Sequence, residues 1–301
     1  MSDPSYYGMD LADVNGDGTP DAAAPVVFNV PGVGVRSVVQ VQLGQGDGTF
    51  GAPTLEADLP VTGGPGPGSI YYGMRVVFGS FTGDASLDLA ATHVGSAAIF
   101  IFEGNGDGTF DPPTQVPLTF YPSSLRAGDL NGDGTDDFVA GWAWGTPGPV
   151  RLAVLTSTTP GAWSTQEIDP GATIADITVG DVDGGDGNDL VVGRDGANLA
   201  IYANDGTGGF TAPPTTIPGT SDRRNLAVGD VDGDGDVDIV TLDGFGIVQV
   251  LRSDGVGGWS VLPGDEVRLP TGYANGAPQV MTDLTADGRV DVVVPTGRAV
   301  A

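Results

Sequence analysis

Oxygen-bearing side chains recur along this chain at a spacing that suits one task, the capture of a hard cation. Three nine-residue segments carry them at positions 1, 3, 5 and 9, with glycine at 4 and 6: Asp13/Asn15/Asp17/Asp21, Asp129/Asn131/Asp133/Asp137 and Asp230/Asp232/Asp234/Asp238. Calcium takes about six to eight such oxygens at ~2.3–2.6 Å, and a glycine at position 6 permits the sharp turn that wraps them around one ion. In a fourth segment, Asp181/Asp183/Asp186/Asp189, the fifth-position acid has moved by one residue, which predicts an occupied site of rearranged geometry. A fifth, Asp283/Thr285/Asp287/Asp291, keeps three carboxylates and Gly288 and predicts weaker binding because of Thr285. The remaining copy, Ser80 to Asp88, has two carboxylates and Ala85 at position 6, so its turn is expected to rest on hydrogen bonds without metal. Four to five calcium ions are therefore expected.

The first six letters also open an EF-hand loop. That loop needs a bidentate Glu at position 12 and flanking helices. Position 12 is Ala24, Ala140, Val192, Thr241 and Val294 in five of these segments, and the residues that follow are β-branched. Position 9 must supply the closing acid, which suits a loop between two strands.

Composition points the same way. Of the 39 acidic residues only four are Glu (Glu56, Glu103, Glu167 and Glu266), and the formal net charge is −28. Short Asp side chains suit turns and cation loops, whereas generic solubilising charge would use both acids. Such acidity disfavours nucleic acid and phosphate-rich membrane surfaces. All 11 basic residues are Arg, and with no cysteine neither disulfides nor thiolate metal sites contribute. Loops of this kind fill readily at the millimolar calcium found outside the cytoplasm, so an extracellular or cell-surface location is expected. Met1-Ser-Asp-Pro-Ser-Tyr6 has neither the basic start nor the apolar core of a signal peptide, so that location implies processing or another export route. No apolar run approaches the ~18 residues of a membrane span, and no membrane insertion is expected.

The elements that must position these loops are strands. The first ligand positions, Asp13, Ser80, Asp129, Asp181, Asp230 and Asp283, recur about every 50 residues, with one longer interval explained by the glycine/proline insertion Leu59–Ile70. Each of the first five loops is followed by a glycine-rich turn ending in an aromatic residue: Phe50, Phe110, Trp163, Phe210 and Trp259. Such turns join antiparallel strands. Each unit reads strand, acidic loop, strand, short link, strand, aromatic turn, strand, and nothing reads as a helix. Four antiparallel strands per ~50-residue repeat is the pattern of a propeller blade. The reading is an all-β chain, one β-propeller domain over residues 1–301, with repeats beginning near 6, 71, 121, 173, 223 and 275 and the last incomplete.

The Asp-x-Asn/Asp-Gly-Asp-Gly-x-x-Asp loop followed by a Val/Ile/Leu strand resembles the FG-GAP/VCBS repeat, the family of the integrin α-subunit propeller and of many secreted bacterial propellers. The resemblance spans about residues 5–295. It implies calcium in the hairpin loops at one face and ligand-binding loops at the other. It also implies seven blades, where this sequence shows five whole repeats and half of a sixth. The array is thus truncated, irregularly closed or completed by another chain.

Partners are expected at the face opposite the acidic loops, where propellers recruit ligands. Exposed aromatics and Arg suit interfaces and sugar platforms, which singles out Tyr72, Arg75, Tyr121, Trp142, Trp144, Arg223, Arg224 and Tyr273. For any one of these, packing between blades is the plainer role. His93, the single histidine, reads as structural, and no nucleophile elbow or other catalytic constellation stands out. The leading function is an extracellular binding or adhesion module recognising a glycan or protein. A polysaccharide lyase or hydrolase, and an assembly module completed by another chain, are the alternatives.

Overall fold

A computed structural model describes residues 8–30, 34–60, 74–93, 95–141, 151–159, 161–210, 213–220, 223–243, 246–262, 264–269, 280–282 and 291–293. Every regular element among them is a strand. The chain forms two compact units, the first reaching Gly128 and resuming at Asp133–Ile168, the second comprising Asp129–Gly132 and the chain from Asp169 onward.

The first unit holds three four-stranded antiparallel sheets in simple meander order. Blade 1 is β1 (Asp10–Ala12), β2 (Asp21–Val30), β3 (Gly34–Gly44) and β4 (Phe50–Asp58). Blade 2 is β5 (Met74–Gly79), β6 (Asp88–His93), β7 (Ala98–Phe102) and β8 (Thr114–Pro117). Blade 3 is β9 (Ser124–Gly128), β10 (Asp137–Gly141), β11 (Leu152–Thr159) and β12 (Ala162–Ile168). The second unit holds blade 4, β13 (Ile174–Gly180), β14 (Asp189–Arg194), β15 (Ala197–Tyr202) and β16 (Thr215–Ile217). Blade 5 follows with β17 (Arg223–Gly229), β18 (Asp238–Asp243), β19 (Ile247–Ser253) and an outer strand split into β20 (Trp259–Ser260) and β21 (Glu266–Arg268). A two-stranded sheet, β22 (Val280–Thr282) with β23 (Asp291–Val293), comes last. These are the four-stranded blades of a β-propeller.

Burial explains the sequence pattern. The second and third strands of a blade are covered on both faces, so β6, β7 and β10 are buried at every residue and carry the apolar runs Leu89–Ala91, Ala98–Phe102 and Phe138–Ala140. Outer strands meet solvent on one face, and β4 and β12 alternate accordingly. Neighbouring blades within a unit share a core: Val39 and Val41 of blade 1 with Phe78, Leu89 and Phe100 of blade 2, and Leu199 and Ile201 of blade 4 with Ile239 and Leu251 of blade 5. Half-buried carboxylates stitch the same pairs. Asp10 Oδ2 accepts the Phe78 amide at 2.7 Å, and Asp176 Oδ2 accepts the Leu226 amide at 2.8 Å. Most of the Leu59–Ile70 insertion lies outside the described residues.

Candidate metal centres

Each of the five described acidic loops is the hairpin between the first and second strands of its blade. In the 13–21, 129–137 and 230–238 loops the chain turns on glycines with positive φ at positions 4 and 6, as Gly16 (+73°) and Gly18 (+83°) show, whereas the 181–189 loop has Gly184 at position 4 and Asp186 at position 6. In the 80–88 loop only Gly83 takes positive φ, since Ala85 stands at position 6.

The position-1 carboxylate folds inward onto the loop backbone. Asp13 Oδ1 accepts the amides of Gly16 at 2.8 Å and Asp17 at 3.1 Å, and its Oδ2 accepts Gly18 at 2.7 Å. Asp230 repeats this with Gly233 and Gly235, and Asp181 with Gly184 and Gly185.

Position 9 has a second task that spacing alone did not reveal. Asp21, Asp88, Asp137, Asp189 and Asp238 are all buried, at 0–1% exposure. In four of these loops one carboxylate oxygen accepts the position-2 amide while the other accepts an amide at the end of the third strand. The pairs are Val14 and Gly44 for Asp21, Phe81 and Gly104 for Asp88, Val182 and Asn204 for Asp189, and Val231 and Ser253 for Asp238. Asp137 accepts Ser157 in the same manner. The acid therefore ties its own loop to the aromatic turn of the blade. The position-2 side chains Val14, Phe81 and Val182 are buried beside it as apolar plugs. The signal that could have exposed both tasks is the retention of Asp88 and of an apolar second residue in the one loop that lacks the other ligands.

Two loops bring three carboxylates together. Ligand oxygens of Asp181, Asp183 and Asp189 lie within 4.8 Å of one another, and so do those of Asp230, Asp232 and Asp238. Oxygens around one calcium ion stand within about 5 Å of each other at ~2.3–2.6 Å from the metal, so positions 1, 3 and 9 fit the ion. The fifth-position acids stand apart: Asp234 Oδ1 accepts the Asp236 amide, and Asp186 is exposed and outside the group. In the first loop Asn15 and Asp17 are tied by two hydrogen bonds at 3.0 Å, Asn15 Nδ2 donating to Asp17 Oδ2 and the Asp17 amide donating to Asn15 Oδ1. In the third loop Asp129 accepts the Gly132 amide and Asp133 the Thr135 amide, and Asn131 is half-buried. Asp283, Thr285 and Asp287 lie outside the described residues, and Asp291 is described only as the first residue of β23.

The FG-GAP-like repeat family matches residues 80–140 and 185–241, each stretch running from one acidic loop across the next into the second strand of the following blade. These two stretches are FG-GAP-like repeats. No curated protein sequence matches it. Among solved structures, an Agrocybe aegerita lectin that recognises non-reducing terminal N-acetylglucosamine aligns with 85% of this chain and 79% of its own at 19% identity and a TM-score of 0.53. BBS1N, solved in complex with ARL6DN, aligns with 96% of this chain and 75% of its own at 13% identity and a TM-score of 0.58. A putative 6-phosphogluconolactonase of Bacteroides fragilis aligns over 87% and 81% at 15% identity and a TM-score of 0.54. Likeness at this level establishes the shared fold and nothing about activity.

In the converging loops burial and neighbouring carboxylates raise the proton affinity of the position-9 acids. Burial pushes the Asp189 carboxyl up to about 6, against its two backbone hydrogen bonds, and the charges of Asp183 and Asp181 add to the rise. Burial likewise raises Asp238, with Asp232 and Asp234 contributing. Asp189 binds its proton more tightly in the folded chain than in the unfolded one. Its contribution to stability is therefore fully present below pH ~3.8 and lost as pH rises through about 6. A carbon-13 carboxyl titration in EDTA should place the Asp189 midpoint near 6, and added calcium should move it below 4. A midpoint at the ordinary value in EDTA would contradict this.

In the 230–238 loop one cation is already supplied by the chain. Arg252 forks onto Asp265, Nε to Oδ2 and Nη2 to Oδ1, both at 2.9 Å, and its Nη1 reaches Asp232. The guanidinium holds both carboxyls below their usual range. It occupies a third-position ligand oxygen and repels a dication, so Arg252→Met should tighten calcium binding at this loop by several-fold while lowering stability in EDTA. Terbium luminescence titration of both proteins measures the change, and unaltered affinity would show that Arg252 leaves the ligand free.

The expected partner residues are dispersed. Arg75 is half-buried on β5 with Nη1 donating to the Met74 carbonyl at 2.9 Å, and Tyr121 is half-buried just before β9. Arg223 is buried on β17, with Nη1 3.7 Å from Asp243. Only the backbone of Arg224 is described, and Tyr72, Trp142, Trp144 and Tyr273 lie outside the described residues. His93 ends β6 at 0% exposure, where Nδ1 accepts the Gly95 amide at 2.8 Å and burial lowers its pKa.

Proposed function

We propose that this chain is a calcium-stabilised binding module, working outside the cell, that recognises a glycan or protein through the links at the blade ends opposite the acidic loops. The observation that carries the reading is the convergence of three carboxylates in each of two loops, where burial and the neighbouring acids raise Asp189 to about 6. Hard oxygen donors of this number favour calcium, and millimolar calcium is an extracellular condition. The loops serve the scaffold, which leaves the opposite links for recognition. Structural neighbours that bind a terminal sugar or a partner chain are consistent with such use of the fold. His93 is 0% exposed and its Nδ1 is taken by the Gly95 amide, which weighs against the lyase or hydrolase alternative in which it would reach a substrate as the base.

The test is a glycan array and a pull-down from extracellular protein, each run in millimolar calcium and in EDTA. A ligand retained in calcium and lost in EDTA is expected. Cleavage of a polysaccharide with no retained ligand would replace this reading with the enzymatic one.

A further inference from the structure

The second unit carries a cleft of about 370 Å³ between the outer part of blade 4 and the third and outer strands of blade 5. Thr215 and Thr216 of β16 form one wall, Gln249 and Leu251 of β19 another, with Trp259 of β20 and Val261 closing it. Its size falls within the range of small-molecule pockets, roughly 300–1,000 Å³. No lining residue is charged, although the chain carries −28.

Two polar atoms on these walls are buried and lack any hydrogen-bond partner: Gln249 Oε1, an acceptor, and Trp259 Nε1, a donor. Gln249 is 9% exposed. Buried polar groups are nearly always paired, so each marks a place where a partner from outside belongs. The sheet itself does not call for the amide. At the same register the third strands of blades 3 and 4 carry Ala153 and Ala200, opposite Ala140 and Val192, where blade 5 has Gln249 opposite Thr241. Trp163 of blade 3 shares the unpartnered indole N–H, but with Ala153 at the Gln249 register it has no companion acceptor there. The outer strand of blade 5 is also interrupted after Ser260, and Val261 at that break lines the cleft.

We propose that this cleft binds a single neutral sugar residue. A ring hydroxyl donates to Gln249 Oε1 while a hydroxyl or acyl oxygen accepts from Trp259 Nε1. The Thr215 and Thr216 hydroxyls, on exposed residues at the mouth, take either role, and Leu251, Val261 and the indole body meet the C–H face of the ring. The uncharged lining selects against uronic acids and phosphosugars, which the surrounding acidity also repels. This inference rests on the binding-module reading and gives it a ligand class and a position separate from the links at the blade ends.

Saturation-transfer NMR on the full chain in millimolar calcium tests it with the methyl glycosides of glucose, galactose, mannose, N-acetylglucosamine and glucuronic acid. At least one neutral glycoside should bind with a Kd on the order of 1 mM, and the glucuronide should bind more weakly than the glucoside. Gln249→Ala, which installs the residue of the sister blades, should keep the wild-type melting temperature and weaken binding by tenfold or more. Trp259→Phe should weaken it by several-fold with an unchanged β circular-dichroism spectrum. Absence of transfer from every neutral glycoside overturns the proposal and leaves the two atoms to ordered water. Binding that survives both substitutions places the sugar elsewhere, which overturns this site while the module reading stands. That reading fails separately, if array and pull-down are both blank.

Discussion

Asp88→Ala should destabilise the chain by on the order of 4 kcal/mol, and by the same amount with or without calcium. Asp88 is fully buried and accepts four hydrogen bonds, from the amides of Phe81, Thr82 and Gly104 and from the Thr82 hydroxyl, at 2.9–3.0 Å. Truncation strands three backbone donors, each costing about 1–3 kcal/mol where water cannot reach. For a chain of this length that is roughly an 8 °C fall in melting temperature. Calcium should not matter, because the 80–88 loop has only two carboxylates and lacks glycine at position 6. Asp238→Ala makes the informative contrast. In EDTA its loss also relieves repulsion from Asp232 and Asp234, so the cost should be smaller than for Asp88→Ala, whereas in calcium it also removes a ligand and the cost should be larger. Paired thermal scans of both variants measure this, and an Asp88→Ala protein melting within about 2 °C of wild type would show that position 9 does not clamp the blade.

Chelation has the other large expected effect. A ligand that binds only the folded state stabilises it by about 2.7 kcal/mol at a hundredfold excess over its Kd. Two converging triads give on the order of 5 kcal/mol, so excess EDTA should lower the melting temperature by about 10 °C. The gain has two sources, direct coordination and release of the repulsion that raises Asp189 and Asp238. Loops 13–21 and 129–137 carry Asn at position 3, outside any group of three converging acids among the described residues, and should fill only at higher calcium. Magnesium should substitute poorly, since it demands near-ideal octahedral geometry at shorter distances. Calorimetric scans in calcium, magnesium and EDTA, with bound metal counted by elemental analysis, decide the matter. A melting curve indifferent to EDTA would mean that the aspartates act only through hydrogen bonds.

The two effects separate what local chemistry and long-range packing contribute. Loop spacing and strand periodicity are local properties, so the all-β class, the hairpin position of the acidic loops and the four-stranded unit could be read directly from residues such as Asp230 to Asp238 and Ile247 to Leu251. The double role of position 9 was not legible. Its second oxygen meets an amide some 15 to 23 residues away, at Gly44, Gly104, Asn204 or Ser253, and no local pattern names that partner. Arg252 was likewise invisible as a competitor for Asp232, because the two meet only when β19 lies beside β18.

Sequence alone determined which residues could hold a cation and that strands flank them, because ligand spacing, glycine turns and alternation of apolar residues act over fewer than ten positions. Tertiary structure decided which acids converge. Positions 1, 3 and 9 come together in two loops while position 5 stands apart, since burial of Asp189 and Asp238 against the third strand fixes their oxygens, whereas Asp234 is tied to the Asp236 amide of its own turn and Asp186 is exposed. The placement of Gln249 and Trp259 around one cleft is of the same kind, a consequence of strand register and of the break in the outer strand of blade 5 that a linear pattern does not encode.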